Sequence, residues 1–148
     1  MTEKMEDAME QVKKILLVDD DGDFRAATRK ILESGGYVVV EAATGREGFA
    51  KAKSESPDLA VIDIIMESFS EGFNLIKRLS EDEWTRGIPR IVLTTLGIQQ
   101  ETDMVSPEEL GTKFIIQKPV KKDEFLAMVR AALPRTPQAK RDELGDAG

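Results

Sequence analysis

The sequence contains neither cysteine nor histidine, and these two absences remove a large part of protein chemistry. Disulfides, thiol catalysis, zinc sites and imidazole acid–base catalysis are excluded. No apolar run approaches the roughly 20 residues that a membrane span needs. Any bound metal must therefore be held by oxygen ligands, which favours Mg²⁺, Ca²⁺ or Mn²⁺.

The composition predicts one soluble globular domain. A length of 148 residues suits a single domain with a full core and is too short for two ordinary ones. The net charge of −7 disfavours non-specific binding to nucleic acid or to anionic membranes. Because the first residues, MTEKMEDAMEQ, lack the apolar region of a signal peptide, the expected location is the cytoplasm.

Short apolar runs alternate with helix-like stretches along most of the chain. The runs are Ile15–Val18, Tyr37–Val40, Leu59–Ile62, Ile91–Leu93 and Phe114–Ile116. They are rich in β-branched residues and lack polar alternation, which predicts strands buried on both faces. The repeated strand–helix order predicts an α/β fold, in which parallel strands joined by right-handed crossovers form one sheet with helices on both faces.

The predicted helices have recognisable starts and stops. Gly35-Gly36 ends the first helix, Thr44 is predicted to cap the second, and Pro134 closes the last. The segment Gly97–Gly111 is the least regular. Within it, Ser106-Pro107-Glu108-Glu109 is a good helix start, but Gly111 follows almost at once, so we expect a short or broken helix there.

Polar residues follow four of the five predicted strands. They are Asp19-Asp20-Asp21 after the first, Asp63 after the third, Thr94-Thr95 after the fourth and Gln117-Lys118-Pro119 after the fifth. The carboxyl ends of parallel strands meet at one edge of a sheet, where α/β proteins place their sites. Each residue alone is typical of a turn or a helix cap. Together they predict carboxylates for a divalent cation, with a hydroxyl and an ammonium for phosphoryl oxygens.

This set of residues resembles the receiver domain of two-component response regulators. The matching motifs are Asp19-Asp20, Asp63, Thr94 and Lys118-Pro119, each directly after its strand, and the resemblance covers about Lys14 to Leu133. It implies a flavodoxin-like, doubly wound sheet of five parallel strands in the order 2-1-3-4-5. The receiver domain is expected to span 13–133, and the polar composition of the chain ends predicts a leader at 1–12 and a polar tail at 134–148.

The resemblance further implies a Mg²⁺ site. Asp20 and Asp63 would bind the ion directly, and Asp19 would act mostly through a bound water. The main-chain carbonyl of Ile65 would complete the protein ligands. Such an ion would offset the repulsion among the neighbouring carboxylates.

For the phosphoryl group the resemblance implies three catalytic residues. Asp63 would accept the phosphoryl group from a histidine of a sensor kinase or phosphotransfer protein, Thr94 would bond a phosphoryl oxygen, and Lys118 would pair with it. The Lys118–Pro119 peptide bond is often cis in this family. No effector domain is apparent after Leu133, so the expected output is a protein–protein interaction or a phosphorelay, and the expected activity is self-phosphorylation and autodephosphorylation rather than turnover.

Three positions depart from the family pattern. Glu67 replaces the usual proline in a loop about one residue longer than usual, Thr95 replaces the commoner alanine, and Ile115 replaces the usual tyrosine or phenylalanine. Because Ile115 is β-branched and has no ring, it cannot switch as an aromatic residue does. We therefore expect phosphorylation to reorder the Gly97–Gly111 segment instead.

The acidic run after the first strand also resembles two other kinds of site. The run Val18–Gly22 also fits the start of a haloacid-dehalogenase-type phosphatase, but the paired acidic motif that should follow the lysine is missing. An EF-hand loop is excluded because Phe24 stands where its glycine must be. A receiver-like interaction module that acts without phosphorylation remains the alternative, which Ile115 favours and the complete set of reactive residues disfavours.

Overall fold

The structure, a computed structural model, describes residues 12–64, 69–94 and 111–134. Its elements in chain order are β1 (Lys14–Val18), α1 (Gly22–Ser34), β2 (Val38–Ala42), α2 (Gly45–Glu55), β3 (Leu59–Asp63), α3 (Phe69–Glu81), β4 (Arg90–Thr94), β5 (Ile115–Gln117) and α4 (Lys122–Ala132). All neighbouring strands are parallel, in the order β2-β1-β3-β4-β5, which confirms the predicted fold and strand order. No helix among these residues is long and apolar enough to cross a membrane.

The sheet separates two apolar layers because successive side chains of a strand point to opposite faces. Ile15 and Leu17 of β1 belong to the layer that also holds residues of α1 and α4. Leu16 and Val18 belong to the layer that holds residues of α2 and α3. Helices therefore cover both faces, as predicted, and hold the carboxyl edge of the sheet in place.

Side chains at the ends of α1 and α2 satisfy main-chain N–H groups that the helices leave without partners. The Asp21 carboxylate accepts hydrogen bonds from the main-chain N–H groups of Asp23 and Phe24, at 3.0 and 3.1 Å. The Thr44 hydroxyl accepts one from Glu47 at 3.0 Å, so the predicted cap of the second helix is confirmed.

The predicted bounds of the second strand were wrong. The apolar run suggested Tyr37–Val40, whereas β2 extends from Val38 to Ala42. Its length is set by pairing with β1, whose register joins Lys14 to Val38 and Val18 to Ala42. The charged Glu41 inside β2 hid this end of the strand, because an edge strand tolerates a polar residue that a central strand does not.

Several predictions fall outside the described residues. They concern the Ile65 carbonyl as a metal ligand, the departures at Glu67 and Thr95, and the helix expected between Gly97 and Gly111, of which the structure describes Gly111 alone. Residues 1–11 of the predicted leader and 135–148 of the predicted tail also lie outside.

Candidate functional site

The register of the sheet brings to one level the polar residues that end β3 and β4 or directly follow β1 and β5. Val18 pairs with Ile62, so Asp19 and Asp63 occupy the next positions on adjacent strands. Thr94 pairs with Gln117 at the neighbouring strand ends. The main-chain N–H of Lys118 donates to the Thr94 carbonyl at 2.7 Å, which brings Lys118 to the same edge.

Three carboxylates form an acidic cluster at this edge. Asp19, Asp20 and Asp63 each offer one oxygen, and these oxygens lie within 4.8 Å of one another. Asp19 and Asp63 are buried, with exposures of 0% and 2%, while Asp20 is exposed. Two adjacent buried carboxylates lose hydration and repel each other, so the cluster requires a compensating positive charge.

Lys118 supplies part of that charge. Its ammonium Nζ donates to Asp19 Oδ2 at 3.0 Å and to Asp63 Oδ2 at 3.1 Å. Burial by itself lowers the pKa of Lys118, but the hydrogen bond to Asp19 and the charges of Asp63 and Asp19 outweigh it, so the pKa is raised. The ammonium therefore stays charged at neutral pH and ties the two buried carboxylates together.

Asp19 is also held from the side of α1 and β2. The Arg25 guanidinium donates through Nη1 to the Asp19 carbonyl at 2.6 Å and through Nε to Glu41 Oε1 at 3.0 Å. The sequence analysis predicted neither Arg25 nor Glu41 as a site residue. Arg25 lies inside a helix, and Glu41 is followed only by alanines at the end of β2. An arginine in the first turn and a glutamate at a strand end are of opposite charge, but only the pairing of β1 with β2 makes them neighbours.

Two further residues complete the surroundings of Lys118. The Phe24 ring of α1 lies with its centroid 3.9 Å from Lys118 Nζ. Thr94 is fully buried at the end of β4. The Lys118–Pro119 peptide bond is cis, as the resemblance implied.

The acidic cluster fits a small, hard divalent cation. Carboxylate oxygens are the ligands that Mg²⁺ prefers, and Mg²⁺ usually keeps several of its waters when it binds to a protein. Asp19, Asp20 and Asp63 would hold the ion, and the exposure of Asp20 leaves one side of the cluster open to water. Asp21 does not join the described cluster, because its carboxylate caps α1.

Comparison with protein families gives one match over most of the chain. The family model of the response regulator receiver domain matches residues 15–130. Protein PilH of Pseudomonas aeruginosa is 35% identical over 120 residues, which cover 81% of this chain and 97% of PilH. The DNA-binding dual master transcriptional regulator RpaA of Synechocystis is 37% identical over 131 residues, which cover 86% of this chain and 53% of RpaA. This chain thus spans about half the length of that relative.

Solved structures share the fold. A CheY-like response regulator receiver domain protein from Methanospirillum hungatei has a TM-score of 0.69 and 30% identity, covering 93% of this chain and 100% of that one. The chemotaxis protein CheY4 of Vibrio cholerae has a TM-score of 0.74 and 27% identity, covering 82% of this chain and 99% of that one.

Proposed function

The chain belongs to the response regulator receiver domain family, and from that premise we propose that it accepts a phosphoryl group on Asp63 in a Mg²⁺-dependent reaction. The donor is a phosphohistidine of a sensor kinase or of a phosphotransfer protein. The observation that carries the proposal is the Lys118 ammonium, which bridges Asp63 and Asp19 inside the acidic cluster. The receiver domain is proposed to span residues 13–133, with a leader before it and a polar tail after it.

The proposed reaction exchanges one bond to phosphorus for another. A carboxylate oxygen of Asp63 attacks the phosphorus atom, the bond from phosphorus to the donor's imidazole nitrogen breaks, and its electron pair stays on that nitrogen. The product is an acyl phosphate on Asp63. The phosphoryl oxygens bring negative charge into a cluster that already contains three carboxylates, so positive charge decides whether the product is tolerated.

Lys118 and Thr94 would meet the phosphoryl oxygens. Lys118 already contacts Asp63, and its raised pKa keeps its positive charge available. Thr94 directly follows Leu93, which pairs with Asp63 across the sheet, and its hydroxyl is of the type that bonds a phosphoryl oxygen. When bound by Asp19, Asp20 and Asp63, Mg²⁺ supplies positive charge that neutralises the phosphoryl oxygens.

Mass spectrometry of the intact protein tests this function. Incubation with acetyl phosphate and Mg²⁺ is expected to add one phosphoryl group to the wild-type chain and none to Asp63→Asn. Asp23→Asn is the matched control, because Asp23 is an exposed acid of α1 outside the described cluster. A full mass shift in Asp63→Asn would reject the assignment of the acceptor. An unmodified wild type would favour a receiver-like module that acts without phosphorylation.

The signal is proposed to leave through another protein, by binding of the phosphorylated form or by onward transfer of the phosphoryl group. A pull-down comparison of the phosphorylated wild type with Asp63→Asn, using extract of the source cell, should retain the target with the former alone.

A further inference from the structure

The ammonium of Lys118 has a third neighbour besides the two carboxylates. A lysine ammonium carries three N–H donors, and two of them are used by Asp19 and Asp63. Nζ lies over the Phe24 ring at 3.9 Å from the ring centroid, well inside the roughly 6 Å over which a cation is attracted to an aromatic face. Only 10% of the Lys118 side chain is exposed, so water screens this attraction little.

The position of Phe24 is set by the first turn of α1. Its main-chain N–H donates to the Asp21 carboxylate at 3.1 Å, and its carbonyl accepts a hydrogen bond from the Thr28 hydroxyl at 2.9 Å. Its side chain is half-buried and packs against the apolar layer shared with α4. The third aspartate of the acidic run, Asp21, thus acts on the site indirectly by holding the helix that carries the ring.

We propose that Phe24 is a positioning residue for phosphoryl transfer, whose ring face holds the Lys118 ammonium beside Asp63. This inference rests on the proposed function. When a cation and a phosphoryl group occupy the carboxylate oxygens, Lys118 loses part of its hold on Asp19 and Asp63. The ring keeps the ammonium at the site through that change, because its attraction does not depend on those oxygens.

An aromatic ring suits this place better than the alternatives. A further carboxylate would attract Lys118, but it would add negative charge to a cluster that contains three carboxylates and must admit a phosphoryl group. An aliphatic side chain would fill the same space without attracting the cation. The ring is neutral overall, yet its face is electron-rich.

Graded fluorination of the ring separates this role from packing. Phe24 is replaced by 4-fluoro-, 3,5-difluoro- and 3,4,5-trifluorophenylalanine, which withdraw electrons from the face and change the ring's size little. The initial rate of phosphorylation by acetyl phosphate is expected to fall stepwise, by about fivefold at the trifluoro ring. Phe24→Leu should be phosphorylated no faster than the trifluoro variant, and Phe24→Trp should restore the rate. Because the contact is present before phosphorylation, urea stability should fall modestly along the series, and it should stay level when the same series is made in Lys118→Met.

Phe114 offers a matched control. Its ring packs against the same apolar layer and lies 5.7 Å from Lys113 Nζ. The same fluorinated series at Phe114 should leave the rate unchanged. A phosphorylated wild type with equal rates throughout the Phe24 series would overturn the positioning role alone. A wild type that acetyl phosphate does not modify would overturn the proposed function, and the positioning role with it.

Discussion

Lys118 offsets part of the negative charge of the candidate site. Its replacement should therefore lower the folding stability as well as the rate of phosphorylation. Lys118→Met keeps the length of the side chain but leaves Asp19 and Asp63 buried without their ammonium. The free energy of unfolding at pH 7 without divalent cations is expected to fall by about 3 kcal/mol, because breaking a buried ion pair strands its partner. Urea denaturation measures this loss, and added Mg²⁺ should recover part of it.

The pH dependence of that loss follows from the raised pKa of Lys118. A pKa raised in the folded state contributes stability that is fully present below the ordinary lysine value of about 10.4 and is lost as the pH rises through the folded value. The difference in the free energy of unfolding between wild type and Lys118→Met should therefore persist at neutral pH and become smaller above about pH 10.4. Equal stability of the two proteins at pH 7 would contradict the charge balance inferred for the cluster.

Glu41 gives a second prediction at the scale of a residue. The stability that it contributes should be lost as the pH falls, whereas that of Lys118 is lost as the pH rises. Burial raises the pKa of Glu41, but hydrogen bonds from Arg29 and Arg25 together lower it more, so the net shift is downward. The stability that this carboxylate contributes is present above its ordinary pKa of about 4.3 and is lost as the pH falls through the folded value. Glu41→Gln should cost about 1 kcal/mol at pH 7 and progressively less in acid.

The control for Glu41 is Glu33→Gln. Glu33 pairs with Arg29 at the exposed surface of α1, at 3.2 Å, and is expected to contribute less than about 0.5 kcal/mol. Urea denaturation of both variants at pH 7 and pH 3.5 makes the comparison. Equal losses of stability in the two variants at pH 7 would contradict the inferred contribution of the ion pairs that Glu41 forms with Arg25 and Arg29.

At the scale of elements, α3 lies against the end of β3 at a distance that only glycine allows. A Cβ added at Gly72 would lie 2.2 Å from the Ile64 carbonyl oxygen and 2.7 Å from its carbon. Ile64 directly follows Asp63. Gly72→Ala must therefore push α3 away or shift the main chain beside Asp63, with an expected loss of about 1–3 kcal/mol and slower phosphorylation.

Gly87→Ala is the matched variant for this contact. A Cβ at Gly87 would meet no described atom within 4 Å, and its backbone does not adopt a positive φ. Its free energy of unfolding should stay level or rise by a few tenths of a kcal/mol, because alanine restricts the unfolded chain. Denaturation curves and the acetyl phosphate assay should separate the two variants, and similar behaviour of both would contradict the close approach.

At the scale of the whole molecule, cation binding should appear as folding stability. A ligand that binds the native state alone stabilises it by RT ln(1 + [L]/Kd), which is about 1.4 kcal/mol at ten times Kd. For a domain of this size, that corresponds to a rise of a few degrees in the thermal midpoint. Asp20→Ala should remove the response to Mg²⁺, because Asp20 belongs to the acidic cluster.

Screening of the net charge of −7 is a separate effect, and two controls isolate it. NaCl at the same ionic strength should reproduce little of the Mg²⁺ response. Asp23→Asn, which removes an exposed acid outside the described cluster, should keep the full response. Calorimetry of the three proteins in each salt measures the difference, and a midpoint of Asp20→Ala that still rises with Mg²⁺ would count against the site.

The sequence by itself was sufficient for the order of elements and for the polar residues at the sheet edge. Both are local properties. An apolar run long enough to be a strand is recognisable in the chain, and so is the acid, hydroxyl or ammonium that follows it. Since parallel strands end on one side, the meeting of Asp19, Asp20, Asp63 and Lys118 could be anticipated from those runs alone.

Only the tertiary structure decided which side chains touch. Lys118 reaches Asp19 across 99 positions of sequence, and Arg25 reaches Glu41 because β2 pairs with β1. Phe24 looked like one more apolar residue of a helix, yet its ring faces the ammonium. Such contacts depend on strand register and on how α1 packs, to within an ångström or two. Hydrophobic periodicity carries no information at that distance, because it specifies which face of an element is buried and not which side chains meet there.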